Sequence, residues 1–539
     1  MAIRNAYPTR FTPSGICDAF DATEAFPGAC QALTNLVFDQ GNPELVVSRP
    51  GVSLLTSFPG FVTPTYVSVF ISLGTMIYGM VSSGLNAGHD QPFAYNILTN
   101  TFVTISGVTS ASTPVSPATT GPWTPPTMAV VSTYIIVTHP GFSGTSAAFG
   151  VINIANPAAP VWSGTNLVTN PLPSPPTSVA NFNNRAYYSV GNVLYFSDPL
   201  APLTRTNATQ SITLGDTTPI TAQAGLPVTT TSAGVVSVLV AFKATQMWQV
   251  TGDVATSNLA LNFLTLTTGT QAPRSVVQVP FGMIFAASDG PYTLNFLGVV
   301  TKLTSKQGGE ADVQLPFQNT SVASRMSATF SANVYRVCVP TVLSGVAQTN
   351  DYWFDIGRHR WNGPHTFTYD CATQVLNYSV ISQPAAGAAL FKSQSIPDTT
   401  TVYTDNGTAI TSHMRSSSFP KTGKMAELQV VESTVELASS GASVNYNITA
   451  ISTQNNTLNS TFINTPSYGS VWGSFVWGSG ALWSSSVNIP LVYQIPWTAP
   501  LVFQKMAIDI TATSSSNLSI GTFFARYQDA GYTVMAGMG

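Results

Sequence analysis

The chain has 539 residues, of which 44% are apolar and only 8% are charged, with 22 Asp or Glu and 19 Lys or Arg. A net charge of −3 leaves no basic excess, which excludes a chain that binds nucleic acid or a membrane surface through an overall basic character. Because globular proteins are usually about 25% charged, solubility here must rest on Ser, Thr, Asn and Gln, or on burial of surface in an assembly.

Residues 1–60 are predicted to form an irregular arm punctuated by Pro and Gly, with one strand at residues 33–38. The first residues lack the apolar core and the cleavage site of a secretory signal. No apolar run approaches the roughly 18 residues of a membrane span. The sequence therefore predicts a protein that is made and kept in a cytoplasm, without a membrane span.

Residues 61–420 contain a series of strand-turn-strand units, which begin near residues 67, 128, 178, 236, 275, 327 and 388. In one unit the apolar residues alternate over 236–242, the chain turns at Lys243 to Gln246, and a strand returns over 247–250. The next hairpin is predicted to turn at Asp289-Gly290. Periods of about 40 to 60 residues with several short strands are typical of a β-propeller. Six, seven or eight blades fit this spacing.

The strand pattern of the sequence changes near Pro420, where the last predicted domain, residues 421–539, begins. Long alternating strands at 427–431, 444–451, 491–495 and 503–510 indicate a β-sandwich-like domain. Trp472, Trp477, Trp483 and Trp497 lie among glycines and serines, and we expect them to cover the core or pack on a partner rather than to form a carbohydrate platform. The predicted fold is therefore all-β, with an N-terminal arm, a β-propeller and a C-terminal sandwich.

Motifs that would carry catalysis or bind a cofactor do not occur in the sequence. There is no nucleophile elbow, phosphate loop, dinucleotide fingerprint or H-E-x-x-H. Cys17, Cys30, Cys338 and Cys371 form no C-x-x-C, so they are predicted to be buried thiols, with a Cys17 to Cys30 bridge as the alternative. We expect no cofactor, no metal and no enzymatic activity, although a catalytic triad can be assembled from distant residues.

Two groups of cations are the candidate contact residues. The hairpin tip at residues 357–360 carries Arg358, His359 and Arg360, and the densest basic cluster of the chain lies near residue 420. These side chains could meet a DNA phosphate or a carboxylate of another subunit, and a solvated tip is the other interpretation. The cluster near residue 420 includes Arg415, Lys421 and Lys424.

Three blocks of the sequence together match a known pattern. The first is FKATQMWQVTGD, followed by GTQAPRSVV and by a hairpin containing DGPYTL; the second is NLVFDQGNPELVVSRPG, at residues 35–51; the third is RWNGPH, at residues 360–365. In these blocks the chain resembles the tail-nozzle proteins of short-tailed bacteriophages, which are also called tail hub or packaged-DNA stabilisation proteins.

The resemblance implies a structural virion protein at the distal end of a phage tail, made in the host bacterial cytoplasm. It further implies a ring of six identical subunits, joined to a head-to-tail adaptor and carrying fibres, spikes or a plug. The channel would retain the packaged genome and contact double-stranded DNA only transiently. A wall poor in Lys and Arg fits such a conduit, because each neutralised phosphate adds affinity. The alternatives are a receptor-binding propeller that recognises glycans, and a polysaccharide depolymerase.

Overall fold

The fold is known from a computed structural model that describes residues 7–18, 28–61, 63–83, 88–116, 124–144, 147–230, 234–253, 258–303, 313–343, 345–383, 387–398, 401–419, 428–440, 443–452, 456–465 and 490–529. This part of the chain contains 43 β-strands and one α-helix of four residues, α1 (Leu315–Gln318). The expected all-β fold is confirmed. No helix among the described residues is long and apolar enough to span a membrane.

Five strands precede the first complete blade. They are β1 Tyr7–Phe11, β2 Cys30–Thr34, β3 Leu36–Phe38, β4 Val46–Ser48 and β5 Val52–Ser57.

Five four-stranded antiparallel sheets then follow one another along the chain, and a sixth group of four strands continues through β2 into a larger sheet. Blade one contains β6 Tyr66–Leu73, β7 Met76–Ser83, β8 His89–Asn96 and β9 Thr101–Val103. Blade two contains β10 Thr127–Val131, β11 Tyr134–Thr138, β12 Phe149–Asn153 and β13 Val161–Thr165. Blade three contains β15 Ser178–Phe182, β16 Arg185–Val190, β17 Val193–Phe196 and β19 Ser211–Thr213, flanked by a short parallel pair, β14 Val168–Thr169 and β18 Thr204–Arg205.

The next three sheets have the same order. Blade four contains β20 Ala222–Thr230, β21 Gly234–Phe242, β22 Met247–Thr251 and β23 Ala260–Thr265. Blade five contains β24 Val277–Val279, β25 Gly282–Ala287, β26 Gly290–Asn295 and β27 Val300–Lys302. Blade six contains β28 Ser327–Ser331, β29 Val334–Leu343, β30 Val346–Asp355 and β31 Arg360–His365.

A seventh blade closes the ring. Its first three strands are β32 Cys371–Val375, β33 Tyr378–Ser382 and β34 Ala389–Ser393, and its outermost strand is β5, from the beginning of the chain. The innermost strand β32 contacts β6 of blade one, so the ring is complete. The predicted β-propeller is therefore confirmed, and it has seven blades.

The apolar cores of the propeller lie between blades. Val67 and Val81 of blade one pack with Val380 and Leu390 of blade seven in one cluster, and similar clusters join blades one and two, two and three, three and four, and four and five. One four-stranded sheet cannot bury both of its faces alone, so each blade depends on its neighbours.

The second domain is a β-sandwich built from both ends of the chain. After the short β35 (Thr404–Asp405) it contains β36 Thr408–Ser416, β37 Leu428–Ser439, β38 Val444–Ser452, β39 Thr457–Thr465, β40 Leu491–Gln494, β41 Val502–Phe503, β42 Met506–Ser514 and β43 Leu518–Asp529. One sheet has the order β3-β4-β43-β37-β40, with β1 on β43 and β41 on β37; the other has the order β2-β36-β42-β38-β39. Residues such as Met414, Ile448, Ile510 and Phe523 lie in the core.

Strand pairing crosses the boundaries predicted at residues 60 and 420. β1, β2 and β4 pair with strands of the sandwich, whereas β5 belongs to blade seven. β36, which lies within the range predicted for the propeller, pairs with β42. The propeller is therefore inserted between two segments of the sandwich, because the partners of the first strands lie hundreds of residues away.

Two hairpins and the tryptophans test the local predictions. The turn at Lys243 to Gln246 joins β21 to β22 as predicted. Ala287 pairs with Gly290, so the second turn lies at Ser288-Asp289, one residue before the predicted position. Trp497 packs against the sandwich core and donates a hydrogen bond from its indole to Ser433 Oγ at 2.7 Å, as expected for a core cover. Trp472, Trp477 and Trp483 lie outside the described residues.

The four cysteines are all buried thiols, as predicted. The amide of Cys17 donates a hydrogen bond to the carbonyl of Cys30 at 3.0 Å. Burial raises the pKa of the Cys371 thiol to about 12, so this group stays protonated at neutral pH.

Candidate functional site

The predicted cationic tip lies against the sandwich. Arg358 Nη1 forms an ion pair with Asp355 Oδ2 at 2.9 Å, and its Nη2 donates a hydrogen bond to the Asp39 carbonyl at 2.7 Å. The Arg360 guanidinium lies 5.0 Å from the centroid of the Phe38 ring, and burial together with the charge of Arg358 lowers its pKa. The ring of His359 packs edge-on against Phe354. Arg358 and Arg360 therefore join blade six to β3 and to the turn between β3 and β4, whereas the contact of His359 lies within blade six.

The second predicted group is not on this tip. Arg415 lies in β36, half-buried, opposite Ala32 of β2 and Asp509 of β42. Lys421 and Lys424 lie outside the described residues. Local sequence could not reveal that Arg358 binds the carbonyl of a residue 319 positions earlier.

A buried asparagine holds the joint between the two domains. Asn35, at a φ of 57°, donates from its amide to His365 Nδ1 at 3.0 Å and from its side chain to the Thr411 carbonyl at 2.7 Å. Its side-chain oxygen accepts a hydrogen bond from Arg49 Nε at 2.9 Å. Arg49 in turn binds both carboxylate oxygens of Asp405, at 3.0 and 2.5 Å. These contacts tie β2, β31, β35 and β36 together.

The geometry of this joint explains why the Arg-Pro-Gly turn ends in glycine. A Cβ added to Gly51 would lie 2.2 Å from the Thr404 carbonyl oxygen, closer than any side chain permits. Only glycine lets the two backbone segments approach there. Residues from the second and third matched blocks of the sequence, Asn35, Arg49, Gly51 and His365, thus meet at one place.

A second buried network lies beside this joint in blade six. Arg336 donates to Asp351 Oδ2 from Nε at 3.2 Å and from Nη2 at 2.8 Å, and to Ser393 Oγ of blade seven at 2.7 Å. The guanidinium lies 4.3 Å from the centroid of the Trp353 ring, and the indole of Trp353 donates to the same carboxylate oxygen at 2.6 Å. Both members of the ion pair are only 1% exposed. The network fixes blade six against blade seven.

His365 connects the two networks as a neutral base. Its Nδ1 accepts a hydrogen bond from the Asn35 amide, and its ring packs edge-on against Trp353. Burial, Arg49 and Arg336 hold the pKa of His365 well below its usual value near 6.5. Asp351 is its cross-strand neighbour. Protonation would add a charge beside two buried guanidinium groups.

His365→Asn is expected to remove one pH-dependent part of stability. Because the folded-state pKa of His365 lies below the unfolded value of about 6.5, the unfolded chain binds more protons between these two values, and stability falls as pH falls. The variant cannot titrate, so the difference in unfolding free energy between wild type and variant should narrow from pH 7.5 to pH 5. Urea denaturation at each pH measures it.

The control for this experiment is His359→Asn. His359 lies half-exposed at a φ of 52°, which asparagine tolerates. This variant removes an imidazole that contacts Phe354 instead of the buried network around Arg49 and Arg336. Identical pH dependence in wild type and His365→Asn would contradict the role of His365.

The first matched block locks blade four to the loop after blade three. Lys243 Nζ, which is 1% exposed, donates to the Leu214 carbonyl at 2.7 Å and to Asp216 Oδ1 at 2.6 Å. These hydrogen bonds hold the pKa of Asp216 below its usual range. Gln246 Nε2 also donates to Asp216, at 3.1 Å. Lys243 is therefore a buried residue that links blade four to the loop after blade three, and it is not a surface cation.

Trp248, which its place on a strand beside an apolar hairpin predicts to be a core residue, completes this lock and is half-buried against the core between blades three and four. Met247 is fully buried instead, because successive side chains of a strand point to opposite faces and Met247 packs in the core between blades four and five. The indole lies against Gly215, where an added Cβ would be 2.5 Å from Trp248 Cζ2. It donates a hydrogen bond to Gln246 at 3.2 Å.

The rest of the block continues the contacts into blades three and five. Arg185 of blade three pairs with Asp253 at 3.1 Å, and the Asn183 side chain donates to the Gly252 carbonyl at 2.8 Å. On the other side, Thr270 Oγ1 donates to the Ala286 carbonyl of blade five at 2.5 Å. The block thus spans three successive blades.

Charged side chains bridge several blades at one end of the propeller. Arg274, in the turn before β24, donates to the Asp370 carbonyl before β32 at 2.7 Å and to the Ser68 carbonyl in β6. Arg325, in the turn before β28, lies 4.0 Å from Asp370 Oδ2. Burial raises the pKa of Asp370. Arg274 therefore joins blades five, seven and one at the end where the innermost strands begin.

The other side of the axis holds a cavity of about 670 Å³. It is lined by the innermost strands of blades two to five, and none of its lining residues is charged. Asn181, Gln223 and Gln278 each donate a side-chain amide to a strand carbonyl, at 2.8, 2.8 and 2.5 Å. Such a neutral cavity suits water or a neutral polar group and offers no recognition of a charged ligand.

One Ser, His and Asp set occurs in the described residues, at the border of blades one and two. Asp90 accepts from Ser116 Oγ at 2.5 Å and is paired with His139 Nε2 at 2.9 Å. The carboxylate therefore lies between serine and histidine, whereas a hydrolytic triad requires the histidine to contact the serine. Both Asp90 and His139 have fully buried side chains. The described residues also contain no group of three or more His, Cys, Asp or Glu suited to a metal ion.

Most cations have partners within the chain. Of the fifteen Lys and Arg residues in the described segments, nine form ion pairs with carboxylates of the same chain. Arg205 donates to carbonyl groups and stacks on Tyr195, and Lys392 lies 4.8 Å from the centroid of the Tyr378 ring. The structural scaffold therefore uses most of the few cations that the sequence contains. The sequence indicates one of these structural cations, because Arg336 interrupts an apolar strand.

No family model and no curated protein sequence matches the chain. Among solved structures, the chain is similar to BamB from Moraxella catarrhalis, with 11% identity and a TM-score of 0.33, over 72% of this chain and 98% of BamB. It is also similar to a puromycin-hydrolyzing peptidase of Mycobacterium tuberculosis, with 8% identity and a TM-score of 0.35, over 62% of this chain and 52% of the peptidase. Likeness at this level carries no argument about activity.

Proposed function

We propose that this protein is the distal nozzle of a short bacteriophage tail, a ring-shaped structural subunit that retains the packaged genome and conducts DNA during ejection. The proposal includes six copies around a channel, contact with a head-to-tail adaptor, and attached fibre, spike or plug proteins. Its place is the virion tail. It has no enzymatic role.

The observation that carries the proposal is the position of the matched sequence blocks. Lys243, Gln246 and Trp248 form the lock between blades three and four. Asn35 and His365 form the joint between propeller and sandwich. In a chance resemblance, the matched residues would have no reason to coincide with the buried polar contacts of this fold. Their coincidence supports a shared architecture, because such contacts specify how blades and domains are arranged.

The use of charge gives independent support. A conduit for a polyanion must not bind it strongly, since each Lys or Arg that neutralises a phosphate adds salt-dependent affinity. Most described cations already bind carboxylates or carbonyl groups of their own chain, including Arg358 at the hairpin tip. The arrangement of Ser116, Asp90 and His139 supports a structural role over hydrolysis.

Electron microscopy of the purified full-length chain tests the proposal. We expect negatively stained rings with an open centre, and mass photometry should give the mass of six copies. Because obligate assemblies bury large surfaces, dilution should dissociate the ring only slowly. Single particles at all concentrations would contradict a nozzle. Single particles that bind a glycan array would instead favour a receptor-binding propeller.

A further inference from the structure

The outer strand of blade four is an uncovered apolar edge. In β23, Leu261 is 37% exposed and Phe263 is 59% exposed, and the following Leu266 is 57% exposed. β23 pairs only with β22, so its other edge has no strand partner in the described part of the chain. By contrast, β2 covers part of the outer strand of blade six, and β35 pairs with the outer strand of blade seven.

The turn between β26 and β27 extends this surface onto blade five. Leu297 is 72% exposed and Val299 is 48% exposed. An added Cβ at Gly298 would lie 3.7 Å from Leu264 Cδ2, which places the turn directly beside β23. We name Leu261, Phe263, Leu266, Leu297 and Val299 the blade-four edge.

No charge protects the blade-four edge. The sequence contains no Asp, Glu, Lys or Arg between Asp253 and Arg274, or between Asp289 and Lys302. Soluble proteins usually guard a free strand edge with charges, proline or a covering element, because a bare apolar edge pairs with other chains. An edge of this kind indicates a surface that is covered in the working assembly.

A second neutral surface with one exposed aromatic lies on the sandwich. Phe462 of β39 is 67% exposed on the outer face of its sheet. Around it the polar side chains bind each other: Thr449 contacts Ser460 at 3.1 Å, and Ser460 donates to Asn447 at 2.9 Å. No Asp, Glu, Lys or Arg occurs between Glu436 and Lys505. We name Asn447, Thr449, Ser460 and Phe462 the sandwich face.

We propose that the sandwich face of one copy docks on the blade-four edge of the next copy. This inference rests on the ring of the proposed function and names its interface. Phe263 and Phe462 are the two aromatic side chains exposed by more than half among the described residues, and exposed aromatics are typical anchors of interfaces.

Charge matching favours a second copy over other partners. The named residues of both surfaces are uncharged, so they offer DNA or an anionic membrane no charge to bind. Asp509 of β42, the cross-strand neighbour of Thr449, lies beside the sandwich face and contacts His413 Nε2 at 2.9 Å. The surfaces belong to different domains, so their contact is head-to-tail, and a head-to-tail contact generates a ring when the rotation closes.

Complementation between two variants tests the inference. Phe263→Asp breaks the blade-four edge, and Phe462→Asp breaks the sandwich face. Each variant alone should be monomeric by mass photometry, with an unchanged circular dichroism spectrum and melting temperature. An equimolar mixture should form heterodimers and nothing larger, because only one intact pair of surfaces remains. Leu98→Asp, at a residue 70% exposed on the β8 to β9 turn of blade one, is the matched control and should keep the wild-type ring.

The outcomes separate this inference from the proposed function. Rings formed by Phe263→Asp or Phe462→Asp would contradict the proposed interface but not the proposed function as a nozzle. Monomeric variants that do not form heterodimers when mixed would show that the two surfaces do not meet. A monomeric wild-type chain would overturn both proposals.

Discussion

Arg336→Met is expected to lower the free energy of unfolding by about 3–5 kcal/mol, because it leaves a buried carboxylate without its cation. The side chain binds Asp351 twice and Ser393 once, and it stacks on Trp353. Methionine fills a similar volume but supplies none of these hydrogen bonds. Urea denaturation followed by circular dichroism measures the loss.

Two further variants give this prediction its controls. Arg526→Met removes a cation of the same type from an exposed pair with Glu432, at 50% and 44% exposure, and should cost less than about 1 kcal/mol. The double variant Arg336→Met, Asp351→Asn should be more stable than the sum of the single changes implies, because asparagine leaves no uncompensated charge. Equal losses for Arg336→Met and Arg526→Met would contradict the assigned role of the network.

Arg274→Met is expected to loosen the end of the propeller at which Arg274 bridges the blades. The guanidinium donates to carbonyls in blades one and seven from a turn before blade five. Losing a partner costs about 1–3 kcal/mol for each buried acceptor, so two carbonyls imply about 2–6 kcal/mol. Hydrogen exchange measured by mass spectrometry should show faster exchange in β6 and β32, where the ring closes.

Lys392→Met is the control in the same region. Lys392 lies over Tyr378 in blade seven, and a cation above an aromatic ring at a partly exposed site contributes about 0.5–1 kcal/mol. This variant should leave exchange in β6 unchanged. Unchanged exchange in Arg274→Met would show that the apolar contacts between blades close the ring without the arginine.

The propeller could be predicted from sequence because its evidence is local. Each hairpin, such as the one that turns at Lys243 to Gln246, is complete within a few residues and carries its own alternation. The number of blades could not be predicted, because β5 completes blade seven from more than three hundred residues away. The domain boundaries shifted for the same reason, since β1 finds its partner only in β43.

The candidate site could likewise be predicted only in part from the sequence. Composition indicated that cations are scarce, but only the structure shows that Arg358 and Lys243 bind carbonyls of distant loops. The sequence marked the turn at Arg49 to Gly51 as part of a pattern without revealing its purpose. Its purpose is the contact with Thr404 and Asp405, which sequence spacing does not reveal.

The pairing of β1 with β43 also bears on how the protein is made. Tyr7 pairs with Tyr527, and Thr9 bonds to the same tyrosine across 518 positions. At about 5–20 residues per second, a ribosome needs roughly half a minute to two minutes to span that distance. The propeller, complete at Ser393, can close well before then. Because β35 pairs with β5, the closed propeller holds β4 and β36 near each other and so presents a half-built sandwich to the strands that emerge last.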